Sequence, residues 1–157
     1  GLTVVNVTHN ANDGCTREQL LVGVFLVMGT PGHVLFQFCL RTLGKSPEEL
    51  QQDFLSSIIP TQIEFGNPDF LSGKSGLELA FFLYQDIEGK VEEALQEPYY
   101  PQAEYWVGFV VAYAQWKLQQ PFRVLLESYP LERILSNYHL MHEADISKMV
   151  ELIQEEL

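Results

Sequence analysis

His139, His142, Glu143 and Asp145 are the densest group of potential metal ligands in the chain. Imidazole nitrogens and carboxylates are donors that zinc takes, and residues three apart share a face if the segment is helical. Two histidines supply only half of a tetrahedral site, and no H-E-x-x-H pattern accompanies them. His9 and His33 lie far away in sequence, so further ligands would have to come from the fold. Ordinary capping, surface or core histidines are the better reading, and no metal is assigned.

Gly73-Lys74-Ser75 matches the end of a phosphate-binding loop and stands before an expected helix. That loop needs a glycine five positions before Gly73 to free the backbone around the phosphates, and Pro68 stands there instead. A plain helix cap is the simpler use. The same stretch, continued as Gly76-Leu77, lacks the last glycine of a nucleophile elbow. Cys39 lies among Phe36, Phe38 and Leu40, which predicts a buried thiol with a raised pKa and little reactivity. The paired carboxylates Glu48-Glu49, Glu92-Glu93 and Glu155-Glu156 stand where helix caps or solvated faces would put them. No catalytic residue is assigned, and the balance is against an enzyme.

The aromatic block from Tyr99-Tyr100-Pro101 through Trp116 could line a small-molecule pocket, since Tyr and Trp join apolar area to a polar handle. Core packing is the commoner use of such residues. The candidate ligand-binding set is Glu104, Tyr105, Tyr113, Gln115 and Trp116, with His142 added by the fold, and no cofactor is implied. Glu104 and Gln115 would need partners if buried, which makes them the best probes of a hidden polar site.

The segments Glu104-Tyr105-Trp106, Gly108, Ala112-Tyr113 and Gln115-Trp116, with the later His142-Glu143-Ala144-Asp145-Ile146, resemble an uncharacterised family of small bacterial helical proteins. Gly66-Asn67-Pro68 and Ser75-Gly76-Leu77-Glu78-Leu79-Ala80 are similar to it too. The resemblance covers roughly the C-terminal two thirds of the chain. It carries no established activity and no catalytic residue; what it implies is a binding role beside small partners of the toxin–antitoxin type.

These residues need a scaffold, and the periodicity supplies one. Residues 3–8 read as a short strand and residues 9–14 as a loop. Thr16 with Gln19 opens a helix that residues 29–32 end, and a second apolar helix runs from about residue 33 to 43, closed by Gly44. Ser46-Pro47-Glu48-Glu49 is the clearest start signal, with Leu50, Phe54, Leu55 and Ile58 along one stripe to about Ile59, where Pro60 kinks or ends the helix. After an irregular connector, Ser75 and Glu78 cap a helix expected to reach about Ile87. Residues 88–102 read as a short helical turn and a loop, a boundary between subdomains near 96–102.

Residues 102–119 are apolar nearly all round and predict the central helix, with Gly108 marking a close approach. Short helices around Phe122, Leu125 and Leu126 and around Leu131, Ile134 and Leu135 follow. The last amphipathic helix carries Ile146, Met149, Val150, Ile153 and Leu157. The expected fold is thus all-α, an irregular or orthogonal bundle of about seven or eight helices in one domain over residues 1–157.

Twenty-one acids against nine Lys and Arg leave a net charge of −12, which repels phosphate backbones and anionic headgroups, so nucleic acid is not an expected partner. Residues 20–40 hold no charged side chain, but Gly29-Thr30-Pro31-Gly32 interrupts them, so two buried helices fit better than a membrane span. Two cysteines outside any C-x-x-C pair suit a reduced, cytoplasmic protein. The leading functional expectation is a non-enzymatic binding or regulatory module that presents an acidic helical surface to a protein partner. The alternatives are an enzyme or ligand-binding protein built on the aromatic block and His142, and a self-associating domain, a homodimer through the last helix.

Overall fold

A computed structural model of the chain describes residues 34–97 and 102–157. The strand expected over residues 3–8, the helix opened by Thr16, and Tyr99, Tyr100 and Pro101 lie outside the described residues. Within them the fold is all-α, with nine α-helices and two π-helical turns and no strand. Residues 34–37 are helical and run into the first π turn, Phe38–Thr42. Then come α1 (Pro47–Ser56), α2 (Ile59–Glu64), the second π turn (Asp69–Gly73), α3 (Gly76–Ala80) and α4 (Glu88–Gln96). The remainder is α5 (Ala103–Leu118), α6 (Phe122–Ser128), α7 (Leu131–Ser136), α8 (Tyr138–Met141) and α9 (Ile146–Glu155).

The helix starts expected at Ser46 and Ser75 both form, and each is a capping box. Ser46 Oγ accepts the Glu49 N–H at 3.1 Å while Glu49 Oε2 accepts the Ser46 N–H at 2.9 Å. Ser75 and Glu78 repeat the exchange at 3.2 and 2.7 Å. These bonds to Ser46 and Ser75 hold both glutamates below the usual carboxylate range. Gly44, at φ +68°, follows the first π turn in the left-handed region that glycine enters without Cβ strain.

Several boundaries depart from the periodicity. Helix α1 stops at Ser56, because Ser57 turns extended and its hydroxyl binds the Phe54 carbonyl at 2.8 Å and the Ile59 N–H at 3.2 Å. Pro60 therefore opens α2 instead of ending α1, and Ile58 leaves the buried stripe to stand 51% exposed. Helix α3 has five residues instead of reaching Ile87; the chain unwinds through Phe81–Tyr84, and Asp86 takes a left-handed φ of 56° before Ile87 starts α4. The expected irregular connector holds a π turn, and α8 is an extra helix that the pattern did not predict.

Helix α5 matches expectation closely and is the hub, packed against α6, α7, α8 and α9. Val107, Val110, Val111 and Ala114 are buried along it, and Gly108 is buried too. Met149, Val150 and Ile153 of α9 are buried as well, and α9 packs on α5. Of the stripe expected to serve a dimer, Met149, Val150 and Ile153 are thus inside this chain's own core, while Leu157 is 48% exposed. Edge-to-face rings join the other layer: Phe36 to Phe54 at 5.2 Å and Phe54 to Phe122 at 5.4 Å between centroids.

Helices α6 and α7 have proline at their N-cap positions, Pro121 and Pro130, and prolines offer no side-chain oxygen to the first free N–H groups. Other helices supply it. Glu64 at the end of α2 accepts the Phe122 N–H at 2.8 Å. Gln51 of α1 accepts the Leu131 N–H at 2.8 Å through Oε1 and donates Nε2 to the Leu126 carbonyl at 2.9 Å. In return Arg123 of α6 donates to the Leu55 carbonyl at 3.0 Å near the end of α1.

Replacing Gln51 by Leu keeps the apolar volume but strands a donor and an acceptor in residues that are themselves buried, at about 1–3 kcal/mol for each group. Urea unfolding followed by circular dichroism should register that loss in full; a change below about 0.5 kcal/mol would show that neither bond contributes.

Candidate functional site

Positions along α5 fall into stripes, because residues four and then three apart return to the same side of a helix. Glu104, Gly108, Val111 and Gln115 form one stripe, and Tyr105, Phe109, Ala112 and Trp116 the next. Trp106, Val110, Tyr113 and Lys117 form a third. The five α5 residues singled out from sequence are therefore spread over the helix.

Tyr113 and Trp116 do come together, with ring centroids 5.9 Å apart, and Phe109 lies parallel to Tyr113 at 6.5 Å. Trp116 is buried, while Tyr105, Phe109 and Tyr113 are half-buried. This cluster is chiefly a packing surface. Glu104, in the first turn of α5, has Oε2 shut off from solvent and without a hydrogen-bond partner among the described residues. Gln115, on the same stripe, is half-buried.

His142 belongs to a different group. Its ring stacks on Tyr138 at 4.4 Å, its Nδ1 is 2.8 Å from the Tyr138 carbonyl, and Tyr138 meets Trp106 edge-on at 5.6 Å. Trp106 is turned about 160° round α5 from Glu104, so His142 and Glu104 address opposite sides of the helix. Asp145 caps α9 by accepting the Ser147 N–H at 2.8 Å, and the Ser147 side chain together with that N–H holds its carboxyl below the usual range. Among the described residues no three His, Cys, Asp or Glu side chains converge as metal ligands.

Gly73-Lys74-Ser75 resolves into a π-turn end, a cation and a cap. Gly73 closes the second π turn, Lys74 Nζ lies 5.4 Å from the Phe70 ring centre, and Ser75 serves the capping box of the short α3. Of the carboxylate pairs, Glu49 caps α1, Glu93 pairs with Lys90 at 2.8 Å, and Glu156 pairs with Arg133 at 2.8 Å.

A cluster that the sequence did not single out surrounds Cys39. Tyr84 donates its hydroxyl to Asp53 Oδ2 at 2.7 Å, and Lys45 Nζ lies 4.6 Å from the Tyr84 ring centre. Burial pushes the Cys39 thiol up to about 12, Asp53 adding to the rise and Lys45 opposing it. Burial and the bond to Asp53 likewise raise the Tyr84 hydroxyl above its ordinary value. Both groups stay protonated near neutrality, so the cluster latches the first π turn, α1 and the chain beyond α3 rather than offering a nucleophile. Asp53, between Leu50 and Phe54, and Tyr84, 31 residues later, share no spacing that sequence reasoning could have used.

The described residues also leave an apolar group uncovered. Phe65, at the end of α2, is 72% exposed, and Phe81 and Phe82, after α3, are 42% and 41% exposed. Phe82 packs on the buried Phe70 at 5.2 Å, and the second π turn that carries Phe70 packs against α2. No family model, curated protein or solved structure matches the chain.

At about pH 8 a thiol of pKa near 12 is ionised in roughly one molecule in ten thousand, against about a quarter for an exposed cysteine. Iodoacetamide should therefore modify Cys39 in a Cys15→Ser variant roughly a thousandfold more slowly than a free thiol. Labelling at the free rate, followed by mass spectrometry, would show that the site is open.

Proposed function

We propose that this chain is a non-enzymatic protein-binding or regulatory module of the bacterial cytoplasm. The observation that carries the reading is the exposure of large apolar side chains on a strongly acidic chain: Leu140 is 80% exposed and Phe65 72%, at a net charge of −12. Exposed large apolar side chains offer contacts to a partner, and the negative field of the chain selects a positively charged one and speeds its encounter. The likeness of the α5 block to small bacterial helical proteins adds support for a compact partner of the toxin–antitoxin type. Among the described residues no helix is long and apolar enough to cross a membrane.

A second reading, a small-ligand site, is favoured by one observation, the shielded Glu104 Oε2. An ammonium or guanidinium group would satisfy that oxygen. The separation of Glu104 from His142 around α5 weighs against a site that uses both.

Affinity purification from the source cells, followed by reconstitution with the recovered protein in pure form, tests the leading reading. We expect a saturable complex with a basic protein that weakens as salt rises. A chain that remains monomeric and binds nothing saturably on reconstitution would contradict it.

A further inference from the structure

We draw no further inference here: the strongest candidate, the solvent-shielded Glu104 Oε2 in the first turn of α5, belongs to the small-ligand reading already described, and no second observation among the described residues points to the group that would meet it.

Discussion

Two helix starts are completed by side chains from elsewhere in the chain, and the arrangement of the described helices depends on that exchange. A helix leaves its first N–H groups unpaired, and a proline at the N-cap cannot supply the missing oxygen. Here Pro121 and Pro130 set the entry directions of α6 and α7, while Glu64 and Gln51 provide the acceptors from α2 and α1. Because a buried unpaired N–H is expensive, the two helix pairs are stable together and compromised apart. Gln51 adds register: one amide both accepts and donates, which fits only one placement of α1 against the α6–α7 corner.

The apolar side chains then fill the frame that these bonds fix. Helix α5 is buried on most sides because four helices lean on it, and its lack of a polar face leaves no other stable position. The Phe36, Phe54 and Phe122 rings run across the same seam as Gln51 and Glu64. Dispersion and ring geometry thus reinforce a contact whose direction the hydrogen bonds set. The surface pairs Lys90–Glu93, Arg123–Glu127 and Lys148–Glu151 are exposed and contribute little to this arrangement.

Local signals were legible in the sequence wherever the cause is local. Ser46-Pro47-Glu48-Glu49, Ser75 with Glu78, Gly44 and the span of α5 could all be read, because caps, a left-handed residue and an all-round apolar pattern act within a few residues. Cys39 could be read as buried from its neighbours. Boundaries failed where a side chain outcompeted periodicity, as Ser57 does at the end of α1. What depends on distant contacts left no trace: the Tyr84–Asp53 latch, the remote caps, and the packing of Tyr138 on Trp106 that carries His142 away from Glu104. The exposed phenylalanines were equally hidden, since Phe82 fits the same helical spacing as the buried Leu79. Helix α3 ends at Ala80, before Phe82 is reached.

The functional reading follows from the same division of labour. Tyr84, Asp53, Glu64 and Asp145 are engaged in caps and latches, while several large apolar groups are left without a covering element among the described residues. Amide hydrogen exchange at Phe122 and Leu131 tests the underlying frame most directly, because first-turn amides with no partner exchange rapidly. If Glu64 and Gln51 cap these helices, both amides will be protected to about the same degree as those in the middle of α5. Exchange at the rate of an open helix start, with α5 still protected, would contradict the account.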